Sequence, residues 1–274
     1  MSTYVIAGAS QGIGYAFITY LAANPDNTVF GLVRTDAPAT IAKLKAANLD
    51  YKNLHILQAD ITSLTEIKAA VAAISAITPA VDTLIFTAGY RSYGTISLPP
   101  TAFKDEETVA LLEADTNESM KTAVVGITLT INAFLPLIRA GKGKKIVGLS
   151  SPSGDIECIL KMAKHGGGVH GVPYSTGKAA QNLLLASFAV ELMPEGIVVV
   201  SMSPGFVATE RTSVVPQEVL DQLFPMWKKV WPDFDMKAAT PEEAVKRMIN
   251  TIENVITMEQ TGEHLSFKGN KDFL

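Results

Sequence analysis

The sequence has a single cysteine, Cys158, among 274 residues. That excludes an internal disulfide and fits a reducing compartment. Positive charge is not in excess: 23 Lys and Arg stand against 27 Asp and Glu, a formal net charge of -4. With no basic run, nucleic acid is not expected as a partner. No run of 18 apolar residues is free of polar interruption, so no membrane span is expected. The opening MSTYVIAGAS is too short and uncharged for a secretory leader and runs straight into a strand pattern. Linkers, low-complexity tracts and internal repeats are also missing. These absences predict a cytoplasmic protein of one domain, long enough to bury its own core without staples.

What is present is alternation. Apolar β-branched runs at 3–8, 28–33, 54–59, 82–88, 144–150 and 197–203 are separated by helical periodicity at 13–23, 39–48, 63–74, 118–140 and 174–193. A further helix is predicted from Thr240 to Ile256, with Thr240 as N-cap, Pro241 in the first turn and Glu243 closing a capping box. EHLSF (263–267) reads as a last short strand. The strands lack an inside/outside alternation, so both faces of the sheet are buried. Strand and helix in turn mean βαβ units with right-handed crossovers. The fold class is α/β: a single doubly wound parallel sheet flanked by helices.

GASQGIG follows the first strand and opens the first helix, with Gly8, Gly12 and Gly14 spaced GxxxGxG. Alone, such a run is a glycine-rich turn. Between strand and helix at the start of a βαβ series it is a dinucleotide loop of the Rossmann type. Glycine lets the backbone approach a pyrophosphate, and the helix N-terminus supplies N–H donors. The second strand ends at Val33-Arg34, where an NAD enzyme places a carboxylate for the ribose 2′-hydroxyl. A guanidinium there suits a 2′-phosphate, so NADP(H) is expected. The competing reading is a solvated Arg34 paired with Asp36.

GVPYSTGKAAQNLL places Tyr174 and Lys178 four residues apart, on one face of a helix. A free tyrosine, with a pKa near ~10, is a poor proton donor at neutral pH, and a neighbouring ammonium favours the phenolate. By itself the spacing is common and can be an ordinary opening to a helix; its position right after a buried strand ending in LSSPSG, in a chain that opens with GxxxGxG, favours a proton donor and its tuner.

With these motifs the chain resembles the short-chain dehydrogenase/reductase family over nearly its whole length. Its tail and its NPDNTVFGLVR segment look most like the C-factor and sniffer branch and the fungal norsolorinic acid ketoreductase-like proteins. The resemblance implies Ser151 (three before Gly154), Tyr174 and Lys178 as catalytic residues. It implies cofactor contacts from Gly8, Ser10, Gln11, Gly12, Ile13 and Gly14 in the loop, Arg34, and Asp60 with Ile61 at the adenine. Further contacts are implied from Ala88 and Gly89, from Tyr174 and Lys178, and from Pro204, Gly205, Val207 and Thr209 over the nicotinamide. It implies reduction of a small-molecule carbonyl: Ser151 and Tyr174 hold the oxygen, Tyr174 donates the proton, and Lys178 holds the nicotinamide ribose.

Several positions depart from the family pattern. Counting from Gly126 and Pro136, Ala123 stands where the family has an asparagine that anchors a proton-relay water, while Asn117 and Asn132 are out of register. Phe86-Thr87 stands for two asparagines, and Ala7 for a threonine before Gly8. A Gly-rich insertion, about 155–172, separates Ser151 from Tyr174 and carries His165 and His170. It is read as a substrate-shaping loop or a block to oligomer packing rather than a metal site, with Glu157 and Cys158 as the only nearby ligand types. Leu220, Phe224, Trp227, Val230 and Trp231 share a helical face within 208–238. They serve either a core-facing helix or a substrate lid, and a lid would suit a bulky apolar or aromatic substrate.

Three functional readings therefore stand: an NADPH-dependent carbonyl reductase, a non-redox isomerase, dehydratase or cyclase on the same fold, and a nucleotide sensor without catalysis. An intact Ser/Tyr/Lys set argues against the last. A monomer or homodimer is expected over the family's tetramer.

Overall fold

The computed structural model describes residues 1–168, 171–210, 212 and 217–274. Strand β1 (Thr3–Ala7) leads into α1 (Gly12–Ala22), β2 (Thr28–Val33), α2 (Ala37–Ala46), β3 (Leu54–Gln58), α3 (Leu64–Ser75) and β4 (Thr83–Phe86). One continuous helix follows, made of α4 (Glu106–Met120), a π-helical segment (Lys121–Gly126) and α5 (Ile127–Ala140). Then come β5 (Lys145–Leu149), α6 (Ile156–Ala163), α7 (Val172–Leu192), β6 (Val198–Ser203), α8 (Gln217–Val230), α9 (Pro241–Asn254) and β7 (His264–Ser266).

Among the described residues seven strands form one parallel sheet in the order β3-β2-β1-β4-β5-β6-β7. This is the doubly wound sheet expected from the sequence. Alternation is missing from the strands because each face meets its own helical layer. Tyr4 and Ile6 of β1 join Phe17, Leu21, Val245 and Met248 on the α1/α9 side, whereas Val5 and Ala7 join Ile67, Ile131, Phe134 and Leu185 on the α3/α5/α7 side. The strand order reverses between β1 and β4, so the chain parts there and leaves a crevice at the strand ends.

Two elements differ from expectation, and a third decides between two readings. The long helix begins at Glu106, not Glu118, because Asp105 caps it in a reciprocal box with Thr108 and its first turns are polar and largely exposed. Glu106–Ala140 is long and apolar enough, by length and composition alone, to cross a membrane. Here it packs against α3 and α7, with Ile127, Ile131 and Phe134 in the core. The insertion is not loop throughout: Asp155 caps α6 by accepting the Cys158 amide at 2.8 Å, and Cys158 is buried. Third, the aromatic face of α8 has partners. Phe206, Phe224, Trp227 and Phe234 pack edge to face at 5.2–5.7 Å between ring centroids. With Val230, Trp231, Cys158 and Phe273 they make a separate small core. That is the core-facing reading of α8.

The crevice depends on missing side chains. Gly8 adopts φ +105°, and a Cβ there would lie 2.5 Å from the Ala88 amide nitrogen. A Cβ on Gly14 would lie 2.0 Å from the Gly8 carbonyl oxygen, a backbone atom that cannot swing aside. Gly14→Ala is therefore expected to destabilise the protein by about 1–3 kcal/mol despite alanine's better helix propensity. A lowered Tm in thermal melts is the expected outcome.

Candidate active site

The nucleotide loop is tied down from both sides. The amides of Gly8 and Ala9 donate to Leu32 O at 2.9 and 3.0 Å. The Thr87 hydroxyl donates to Gly8 O at 2.8 Å and is 3.1 Å from Ala7 O, so it replaces locally what an asparagine pair would do. Gln11, the N-cap of α1, gives no side-chain cap, leaving the first N–H groups of the helix open toward the crevice. A glycine cradle with no room for a Cβ, under an uncapped helix N-terminus, fits a pyrophosphate.

The crevice is a cavity of about 590 Å³. It gathers most of the residues singled out from the sequence: Gly8, Ser10, Gln11, Gly12, Ile13 and Gly14 at the loop, and Arg34, Asp60 and Ile61 at one end. Ala88, Gly89, Tyr174, Lys178, Pro204 and Thr209 lie along the rest. Three are not brought into its lining among the described residues. Gly205 turns at φ +76° against Phe267, Val207 is buried in a bridge to Ala239, and Ser151 caps the turn Pro152–Gly154. Ser150 lines the cavity instead, but its hydroxyl donates to Asn182 Oδ1 at 2.6 Å. The Ser151 oxygen accepts the Ser153 amide at 3.2 Å, and its proton goes to no acceptor among the described residues.

Arg34 is exposed at the cavity rim with Thr35 and has no carboxylate within 4.0 Å among the described residues. Asp36 is not its partner. It sits in the left-handed region at φ 54° and caps α2 by accepting the Ala39 amide at 2.8 Å. Asp60 accepts both the amide and the hydroxyl of Thr62 at 2.8 Å, which shapes the β3–α3 turn.

Tyr174 stands half-buried in the first turn of α7, and its hydroxyl makes no hydrogen bond with any described residue. Lys178, one turn on, is 9 % exposed. Its ammonium donates to Leu149 O at 2.5 Å and Gln181 Oε1 at 3.0 Å, while Gln181 Nε2 also donates to Leu149 O at 3.0 Å. Burial pulls the Lys178 amine down to about 8. Gln181 was not singled out from the sequence, although its place three residues after Lys178, on the same helix face, was the available signal.

Ala123 is buried inside the π-helical segment, whose Lys121 and Thr122 line the cavity and which packs on α7. Gly126 lets that segment close on Ile61, where a Cβ would lie 2.8 Å from the side chain. Two further cavity residues escaped the sequence reading. Tyr90 and Arg91 directly follow Ala88-Gly89, and Arg91 lies over the Tyr174 ring with its Cζ 6.0 Å from the centroid. Of the insertion's histidines, His165 is exposed and His170 lies outside the described residues. Cys158 is a buried thiol pushed up to about 12 by burial, an unreactive group.

The buried amine has a stability consequence. An amine at about 8 when folded and at its ordinary 10.5 when unfolded is charged in both states below pH 8. The folded state there carries a desolvation penalty of about 3 kcal/mol. Between pH 8 and 10.5 the unfolded chain holds more protons, so the penalty fades as pH rises. Lys178→Met is expected to be no less stable than the parent at pH 7. Its advantage in urea melts should shrink from pH 8 upward.

The family model described as short chain dehydrogenase matches residues 2–219. Short-chain dehydrogenase/reductase atnB from an Arthrinium species is 36% identical over 277 residues, covering 100% of both chains. Short chain dehydrogenase virK from Hypocrea virens is 34% identical, again over 100% of both. Among solved structures, an NADPH-bound carbonyl reductase from chicken fatty liver superposes with a TM-score of 0.74 at 22% identity, and carbonyl reductase Sniffer of D. melanogaster with 0.70 at 22%, each over 98% of both chains. A sheet of this order, a glycine loop at its switch point and a Tyr/Lys helix across from it agree with these matches: the chain belongs to the short-chain dehydrogenase/reductase family of oxidoreductases.

Proposed function

We propose that this protein is a cytoplasmic NADPH-dependent reductase that converts a ketone or aldehyde of a bulky apolar or aromatic small molecule to the alcohol. The observation that carries the reading is a Tyr174 hydroxyl without a hydrogen bond to any described residue, one helical turn before an anchored Lys178 ammonium, in one cavity with the glycine loop. A nicotinamide, when bound, supplies the hydride that the carbonyl carbon accepts. Tyr174 donates a hydrogen bond to the carbonyl oxygen and then the proton as negative charge develops there. Ser151 lies outside the cavity lining but next to Ser150, which is in it, and is the better candidate for second donor because its hydroxyl proton meets no acceptor among the described residues whereas that of Ser150 is held by Asn182. Lys178 keeps a positive charge beside Gly89, on the cavity wall, and holds α7 in place through Leu149 O.

The choice of NADPH rests on Arg34. Its charge is unpaired at the rim and Asp36 is occupied as a cap. The chicken carbonyl reductase of the same fold is described as NADPH-bound. The apolar or aromatic character of the substrate rests on Tyr90 and Tyr174 in the cavity wall. The non-redox reading rests on Ala123, which leaves the π-helical wall without an amide.

Tyr174→Phe should lower kcat by about a hundredfold or more with little change in NADPH affinity, followed as NADPH absorbance with a panel of aromatic ketones, quinones and aldehydes. NADPH binding without oxidation across the panel would shift the assignment to non-redox chemistry. Arg34→Asp should weaken NADPH by about tenfold or more and turn the preference toward NADH, read by fluorescence titration. An unchanged preference would refute the role given to Arg34.

A further inference from the structure

Arg91 is a charge without an assignment. Its guanidinium forms no hydrogen bond or ion pair with any described residue, and its Nε is buried without an acceptor. A buried N–H donor left alone costs about 1–3 kcal/mol, and the rarity of such groups calls for a cause. Three of its neighbours on the loop are engaged by one carboxylate. Tyr90 and Thr95 donate their hydroxyls to Asp115 at 2.7 and 2.6 Å, and the Ser92 hydroxyl faces the same carboxylate. Burial raises the Asp115 carboxyl, but these three hydroxyls outweigh it and hold the group below the usual range, so it is an anion at neutral pH. Asp115 thus pins the loop on both sides of Arg91 and keeps its own charge for the hydroxyls. Arg91 is left pointing over Tyr174 within the cavity.

We infer that Arg91 recognises a carboxylate on the substrate, within a few bonds of the carbonyl that Tyr174 protonates. The inference rests on the reductase reading above and narrows its substrate class to keto or formyl acids. A guanidinium offers a planar fork that matches a carboxylate, and its buried Nε has no other acceptor among the described residues. The carbonyl oxygen would meet the free Tyr174 hydroxyl while the acid meets Arg91 beside the same ring. Arg91 is then a specificity-determining residue, with no part in proton transfer.

The test compares benzoylformate and 3-formylbenzoate with their methyl esters, using NADPH and the parent, Arg91→Gln and Arg91→Lys proteins. In Arg91→Gln the acid-to-ester ratio of kcat/KM should fall by about tenfold or more, mainly through KM for the acids, and Arg91→Lys should recover part of it. Equal losses on acid and ester would overturn the inference, and so would a raised Kd for NADPH with the ratio unchanged, which would make Arg91 a cofactor contact. Calorimetric titration of benzoylformate into the NADP⁺-loaded protein separates the two readings. Arg91-dependent binding without turnover of any carbonyl would refute the reductase and leave the carboxylate site standing. Binding insensitive to Arg91, or no binding to the parent protein, would refute the site.

Discussion

A lysine amine is buried where α7 passes the end of β5, and it is held there by one backbone oxygen, Leu149 O, shared with Gln181. Burying an ammonium is costly, and one carbonyl with one amide oxygen offsets that cost only in part. The geometry around the pair is correspondingly tight. Gly148 leaves the space that Leu185 and Gln181 fill, and a Cβ on Gly154 would lie 2.8 Å from the α7 backbone at Lys178 and Ala179. Fixing α7 against β5 also fixes Tyr174 one turn earlier, so the Tyr174 hydroxyl and the buried charge are set by the same contact.

Opposite this pair, the wall is set by packing rather than by polar bonds. Gly177 lets α7 touch α4 at Ser119, where a Cβ would lie 2.1 Å from the hydroxyl oxygen. The helix that carries Ser119 continues into the π-helical segment at Lys121–Gly126, an irregularity often found at functional sites. It lets one helix both line the cavity through Glu118, Lys121 and Thr122 and return to the core at Ile127. Ala123 lies buried inside this turn.

The far side of the active-site turn is joined to the chain's last strand. Asn182 accepts the Ser150 proton, donates to Gly154 O at 3.2 Å and lies 3.3 Å from His264 Nδ1. Burial lowers His264 to about 4 despite Asp155 at 3.7 Å, so the ring is neutral at physiological pH. Asp155 caps α6, whose Cys158 enters the aromatic core shared by α8 and Phe273. The insertion, α8 and the C-terminal residues therefore stabilise one another, and Trp227 of α8 and Trp231 just after it serve that small core.

Local pattern alone determined the strands, most helices, the glycine loop and the Tyr174/Lys178 pair, because periodicity, capping and backbone approach are properties of short segments. The Thr240–Glu243 capping box and the edge of β2 at Val33 are where the residues place them. Tertiary structure decided the rest. Whether Arg34 is paired depended on Asp36 being taken by the Ala39 amide, and which serine proton is free depended on Asn182, thirty-two residues away from Ser150. The partners of the α8 aromatics came from α6 and the chain end. The isolation of Arg91 followed from Asp115 spending its charge on three hydroxyls. Each of these is a competition between partners distant in sequence, and such competitions are settled only when the sheet brings them together.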